Sequence, residues 1–364
     1  MNRLENLFFA LLRSAIWNTP AKIEHIISDE EWNEIYAISK EQTVSGIMLD
    51  AIAMLPNEYK PDTNKRLQWI VLQKIIEKQN KKMNNALTSL DAELKKEHLT
   101  LYLLKGQGVA HNYPIPEHRI CGDIDIYFAP QDFDKAIEYF TSRGHNIEGN
   151  PDDAHYETEY MGFKLEIHKK CATFYTKRLQ KRYNEIISSI LKTSSAETTI
   201  DEIHIAVLPP LANSLQLLSH MLRHIIFSGL GLRQVCDWIL FVYKHQKDID
   251  KELFIKYAKE LQLWETYKVI TAIATDYLGM PKEYALCEIS KRDKNMAKKA
   301  FRIIMTYGNF GQYGEHSITT TRLEYLKAYF WKVKNCIRFH RLSESETWNY
   351  PIWQLHSLKD MFKK

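Results

Sequence analysis

Asp123 and Asp125 stand two residues apart in the segment Arg119–Tyr127, which reads Arg-Ile-Cys-Gly-Asp-Ile-Asp-Ile-Tyr. The alternation with Ile124 and Ile126 predicts a strand, in which residues i and i+2 face the same way. Both carboxylates then project together while the isoleucines bury on the other side. Carboxylates held side by side repel each other unless a positive charge lies between them. A hard divalent cation such as Mg²⁺ prefers such oxygens, so the pair reads as metal-binding. The D-x-D spacing alone is common on solvated strand faces, and its neighbours decide its meaning.

Three neighbours bear on it. Glu166 falls on a second predicted strand, Lys164–His168, again polar on one face and apolar on the other. If that strand lies beside the first, three carboxylates converge, enough to hold two metal ions for an in-line displacement at phosphorus. Upstream, the apolar run Thr100–Leu104 enters Lys105-Gly106-Gln107-Gly108 and a short helix. A glycine-bearing strand-to-helix turn presents backbone N–H groups suited to phosphate. Arg119, four residues before Asp123, would hold a triphosphate bidentately.

The elements that must position these groups follow from periodicity. Residues 2–97 read as helical, with Leu4, Leu7, Phe8, Leu11 and Leu12 at helical spacing and one long helix from about Asn64 to Glu97 carrying Leu67, Ile70, Val71, Ile75 and Ile76. Strands follow at Thr100–Leu104 and Asp123–Phe128, then a helix over Pro130–Arg143 closed by Gly144. Two strands, His155–Met161 and Phe163–His168, are joined at Gly162 as a hairpin. A helix over Lys177–Leu191 and an edge strand at Ile203–Leu208 complete the mixed region. Beyond Pro209-Pro210 the chain reads as helical, with breaks near Gly229–Gly231, Gly279–Pro281 and Gly308–Gly314. The expected class is α+β: a small mixed sheet at 99–208, flanked by helical regions at 1–98 and 209–364.

Composition narrows the function classes. Over 364 residues, 49 basic and 45 acidic side chains leave a net charge of +4, which does not suggest a general nucleic-acid binder. Five widely separated cysteines, with no C-x-x-C pair, argue against a disulfide framework or structural zinc and point to a reducing cytoplasm. The first thirteen residues read as an amphipathic helix rather than a signal peptide, and no apolar stretch is long enough to span a bilayer.

With these motifs in place the chain resembles a bacterial family of uncharacterised nucleotidyltransferases, within the polymerase-β-like superfamily. The resemblance rests on Leu104-Lys105-Gly106, Tyr113-Pro114, Arg119, Asp123-Ile124-Asp125 and Leu165-Glu166-Ile167-His168, with a similar downstream stretch at His220–His224 and Gly231–Trp238. It implies attack of an acceptor hydroxyl on the α-phosphorus of a nucleoside triphosphate such as ATP, with Mg²⁺ and loss of pyrophosphate. Asp123 and Asp125 would hold metal, and Glu166 would complete the attacking-side metal or act as general base. His168 would orient the acceptor or a phosphate. The broader superfamily carries Gly-Ser or Gly-Gly at the first turn, whereas Gly106-Gln107-Gly108 stands here, so Gln107, Lys105 or backbone amides must replace a serine hydroxyl.

Further candidates lie in the helical part. Asn213, Gln216, His220, Arg223 and His224 form a polar stripe on one helix. It reads as a cleft-facing set in which His220, Arg223 and His224 contact nucleotide or acceptor, as a zinc pair lacking a third ligand, or as a solvated face. Arg322–Arg341 interleaves Lys327, Lys332, Lys334 and Arg338 with Tyr325, Tyr329, Phe330, Trp331 and Phe339. A helix with aromatics inward and lysines outward is preferred there over an RNA or membrane surface. Two other functions compete with transfer to a small-molecule or protein acceptor. One is a nucleotide-sensing scaffold without chemistry, and the other is a nucleic-acid-extending enzyme, disfavoured by the weak charge.

Overall fold

The computed structural model describes residues 2–149, 155–313 and 322–362. In chain order it contains α1 (Arg3–Trp17), α2 (Asp29–Glu41), α3 (Ser45–Met54), α4 (Thr63–Lys96), β1 (Tyr102–Leu104), α5 (Lys105–Ala110), β2 (Ile124–Tyr127), α6 (Pro130–Ser142), β3 (His155–Tyr160), β4 (Phe163–His168) and α7 (Lys177–Thr193). There follow β5 (Ala196–Ile200), β6 (Ile203–Val207), α8 (Pro210–Phe227), α9 (Leu232–His245), α10 (Lys251–Glu260), α11 (Trp264–Leu278), α12 (Lys291–Tyr307), α13 (Arg322–Arg338) and α14 (Glu344–Phe362). This is the expected α+β class. No described helix is long and apolar enough to cross a membrane.

The chain forms two compact units, Met1–Asn33 with Ser45–Thr173 and Ile186–Asn213, and Glu34–Val44 with Phe174–Glu185 and Ser214–Lys364. The first holds a six-stranded mixed sheet in the order β3-β4-β2-β1-β6-β5. β2 runs parallel to β4 and antiparallel to β1, and β3 and β4 form an antiparallel hairpin. Its two-residue turn is Met161-Gly162, at φ 50° and 81°, which suits the twist of the flanking strands.

One face of the sheet is apolar. Leu103, Ile124, Ile126, Leu165, Ile167, Ile205 and Val207 pack with Met83, Leu87, Leu90 and Leu94 of α4 and with Phe133, Ala136 and Phe140 of α6. Each such side chain contributes roughly 1.5–3 kcal/mol over its exposed state. A one-residue slip of β2 would exchange Ile124 and Ile126 for Asp125, so this burial fixes which face the carboxylates occupy.

α4 is the long helix expected, capped by Asp62, whose carboxylate accepts from the N–H groups of Asn64 and Lys65. Its buried stripe differs from the expected one. Leu67, Ile70, Val71 and Ile75 are exposed, whereas Trp69, Gln73, Ile76, Asn80, Met83, Leu87, Leu90 and Leu94 are buried at alternating spacings of four and three. Gln73 and Asn80 bury because their side-chain amides donate to backbone carbonyls. Asn80 donates to the carbonyls of Glu117 and Arg119, at 2.6 and 2.8 Å, and Gln73 donates to the carbonyl of Gly46 at 2.9 Å.

Two further expectations are corrected. The strand at Ile203–Leu208 is an inner one, β6, because β5 pairs outside it through a turn at Asp201 and Glu202. Both turn residues take positive φ, 45° and 69°, without a glycine, so the usual hairpin signal is missing from the sequence. On α13, Phe330 and Ile337 are exposed, while burial lowers the pKa of Lys332, so aromatics and cations do not segregate as expected. α12 ends at Tyr307 ahead of Gly308; Gly314, at the far end of that expected break, lies outside the described residues.

Candidate active site

The polar face of the sheet gathers charged side chains from β2, β3 and β4 and from the turn after β1. Asp123 immediately precedes β2 and Asp125 lies within it. Across the parallel pair Asp125 is in register with Glu166, and on the far side of β4 Glu157 is opposite Glu166 and His155 opposite His168. Period-two alternation therefore brings these residues to one surface while the isoleucines and leucines between them enter the core.

The contacts are short. His168 Nε2 lies 2.7 Å from Asp125 Oδ1 and 3.4 Å from Glu166 Oε2. Lys105 Nζ lies 3.1 Å from the same Asp125 oxygen. Lys164 Nζ sits 3.0 Å from Glu166 Oε1 and 2.9 Å from Glu157, and His155 Nε2 is 3.1 Å from Glu157.

Charge is distributed unevenly among the acids. Burial alone would raise the pKa of Asp125, yet Lys105 and His168 hold its carboxyl far below the usual carboxylate range. Glu166 is likewise opposed by burial, but its bond from His168, aided by Lys164, lowers it to about 2. His168 moves the other way: burial works against its charge, and Asp125 and Glu166 more than reverse this. Asp123 is the exception. Burial and then the charges of Asp125 and Glu166 push its pKa up, against a smaller opposing pull from Lys105. A carboxylate crowded by two others is where an added cation has most to gain.

The turn after β1 is strained. Lys105 has φ 38° and Gly106 φ 34° with ψ −121°, a conformation that places the glycine outside helical geometry. A Cβ on Gly106 would lie 3.6 Å from the Asp123 carbonyl, so the turn runs alongside the strand that carries the aspartates. Gln107 is buried, with its amide donating to Asn80 Oδ1 at 3.2 Å. Arg119 is buried too, its guanidinium directed to the Ile120 carbonyl at 3.3 Å and Cys121 Sγ at 3.0 Å. Lys105 and His168 therefore reach the acidic cluster, whereas Gln107 and Arg119 hold the loop that leads to it.

Residues 28–279, well over half of the chain, match a family described as uncharacterised nucleotidyltransferase. The chain belongs to that family. It is accordingly a transferase of nucleotidyl groups, and the matched region contains every one of the residues above. No curated protein matches the chain.

In this nucleotidyltransferase His220, Arg223 and His224 belong to α8 in the second compact unit. The two imidazoles meet edge to face with 4.3 Å between ring centres, and His224 Nδ1 lies 2.6 Å from Ser228 Oγ. Asn213 and Gln216 of the same stripe are buried, so it is not a solvated face throughout. Among the described residues, the group of three side chains close enough to share a metal is His155, Glu166 and His168 rather than a set around His220.

His155, Glu157 and Lys164 are the members of the cluster that motif reading missed. A signal for them exists. Counting outward from the two-residue turn at Met161-Gly162 sets His155 opposite His168 and Glu157 opposite Glu166.

Proposed function

We propose that the chain moves a nucleoside monophosphate from a nucleoside triphosphate to an acceptor hydroxyl, releasing pyrophosphate, with Asp123, Asp125 and Glu166 as ligands for Mg²⁺. The observation that carries this reading is the convergence of Asp125 and Glu166 across β2 and β4 with Asp123 beside them. The donor set fits the ion, since all three are hard carboxylate oxygens and one of them is disfavoured in its charged form until a cation arrives. When bound, Mg²⁺ supplies neutralisation of the triphosphate and lowers the pKa of the acceptor hydroxyl.

The chain's own residues have separable parts in this reading. Lys105, 3.1 Å from Asp125, keeps that carboxylate ionised and adds positive charge on the side of the β1 turn. Glu166, held by Lys164 and His168, stays anionic and serves as a ligand more readily than as a proton acceptor. The acceptor oxygen bonds to the α-phosphorus and releases its proton to solvent, the bond from that phosphorus to the bridging oxygen breaks, and the electron pair leaves with pyrophosphate. His168, on the same face, orients the acceptor or an α-phosphate oxygen.

The test uses the full chain and a labelled triphosphate with Mg²⁺, followed by pyrophosphate release over panels of small-molecule and protein acceptors. Replacing Asp123 and Asp125 together by alanine is expected to remove both metal-dependent nucleotide binding and turnover. Unchanged activity in the double variant overturns the assignment. Metal-dependent binding with no release on any acceptor favours a nucleotide-sensing role instead.

A further inference from the structure

The hairpin β3–β4 places two imidazoles and one carboxylate where Mg²⁺ alone does not account for them. His155 Nε2, Glu166 Oε2 and His168 Nε2 all lie within 4.8 Å of one another. Glu166 Oε2 is 3.4 Å from His168 Nε2 and 3.7 Å from His155 Nε2. With metal–ligand bonds of about 2.1 Å, neighbouring ligands lie roughly 3.0 Å apart around an octahedral ion and roughly 3.4 Å apart around a tetrahedral one. Glu166 Oε2 is thus already near these spacings from each imidazole, and His168 Nε2 would exchange its 2.7 Å contact with Asp125 Oδ1 for the ion.

The backbone makes this arrangement rigid. His155 and His168 are directly paired across the antiparallel hairpin, their ring centres 5.0 Å apart, and Glu166 lies two residues from His168 on the same face. Lys164 holds Glu166 Oε1 at 3.0 Å, which leaves Oε2 turned toward the histidines. Glu157, which contacts His155 in the present arrangement, has Lys164 as a second partner at 2.9 Å and loses little if His155 turns to an ion. The side chains run from 27% exposed at His155 to 8% at His168, so an ion reaches the site from the His155 side.

Ligand chemistry selects the ion. Two imidazoles with one carboxylate suit borderline transition metals, whereas Mg²⁺ favours oxygen donors and keeps its waters. We infer that His155, Glu166 and His168 form a binding site for a divalent transition-metal ion of the Mn²⁺, Co²⁺ and Zn²⁺ class, adjoining the paired aspartates. The inference rests on the nucleotidyl-transfer reading only through Glu166, which would face both positions, and His168, which here binds the ion instead of orienting acceptor or phosphate. The enzyme would then combine one all-oxygen cation position with one nitrogen-bearing position.

The test is a metal titration with no nucleotide present. The full chain, stripped by chelation, is titrated with Co²⁺ and followed by its visible ligand-field absorption. Mn²⁺ is added separately, and directly bound imidazole nitrogen is detected by pulsed electron paramagnetic resonance. One ion per chain with nitrogen coupling is expected, with affinity falling at least about tenfold in His155→Ala. His155→Asp retains a ligand, so it is expected to recover part of the affinity with weaker nitrogen coupling. Asp123→Asn is expected to keep Co²⁺ binding while losing Mg²⁺-dependent nucleotide binding. Wild-type affinity in His155→Ala, absence of nitrogen coupling, or loss of Co²⁺ in Asp123→Asn each overturns the inference. Co²⁺ binding as expected without nucleotide turnover would count against nucleotidyl transfer and leave this site standing.

Discussion

Asp125 and Glu166 are cross-strand neighbours in the parallel β2–β4 pair, and a single imidazole, His168, contacts both. Two of the three proposed metal ligands therefore already have partners in the chain, Lys105 and His168 at one and Lys164 and His168 at the other. The third, Asp123, is crowded by their charges. The same chemical group thus has opposite structural consequences at positions two residues apart.

From this asymmetry the two aspartates are expected to behave differently in stability while both matter to turnover. Asp125→Ala leaves Lys105 and the buried His168 without the carboxylate they share and should destabilise by about 3–5 kcal/mol. Asp123→Asn relieves repulsion and should raise the melting temperature in metal-free buffer by about 2–4 °C. It should nonetheless lower Mg²⁺-dependent turnover by roughly 10²–10³-fold. Thermal melts in a chelator, paired with turnover assays, decide the matter. A fall in melting temperature for Asp123→Asn would show that repulsion from Asp125 and Glu166 does not destabilise the fold.

The β1 turn gives a second expectation. Gly106 combines φ 34° with ψ −121°, and an alanine Cβ there would meet the Asp123 carbonyl only at ordinary contact distance. The cost of Gly106→Ala is therefore backbone strain rather than collision, about 1–3 kcal/mol. Relief of that strain would shift the preceding Lys105 from Asp125, so turnover should fall with stability. Denaturant melts of Gly106→Ala against wild type measure the first effect. A melt superimposable on wild type would show that the turn tolerates a side chain.

Much of this site was legible because it depends on local rules. The D-x-D strand, the hairpin at Gly162 and the helix closed by Gly144 follow from alternation and turn chemistry within a few residues. The long helix α4 was also legible, but not its buried stripe, since Leu67, Ile70, Val71 and Ile75 keep helical spacing yet face outward. What buries Asn80 is a loop some forty residues downstream, and what buries Gln73 is Gly46 of α3 together with His118, contacts that no periodicity reports. Arg119 and Gln107 are candidate nucleotide contacts because their types suit phosphate. In the fold Arg119 binds its own loop at the Ile120 carbonyl and Cys121 Sγ, and Gln107 binds Asn80, partners that residue type alone does not predict.

The loop before β2 carries the last expectation, which concerns pH. His118 is buried between α3 and α4, with Nδ1 2.9 Å from both oxygens of Asp50 and Nε2 3.2 Å from Glu77. Gln73 also faces it, at 3.2 Å, and Lys74 pairs with the other Glu77 oxygen at 2.7 Å. Burial alone would lower the imidazole pKa, but Asp50 and then Glu77 raise it above its ordinary value. A group whose pKa is higher folded than unfolded stabilises fully below its unfolded value, near pH 6.5, and loses that contribution as pH rises through the folded value. The loop should therefore loosen from α3 and α4 as pH rises, and stability should decline above about pH 6.5. Glu77 is shifted down, so its own contribution fades only in the acid range and does not cancel this slope. In His118→Gln the decline should flatten, because the titrating clamp is gone. Urea midpoints of both proteins across neutral to alkaline pH provide the measurement. Parallel decline in the two proteins would show that His118 is not the group that titrates.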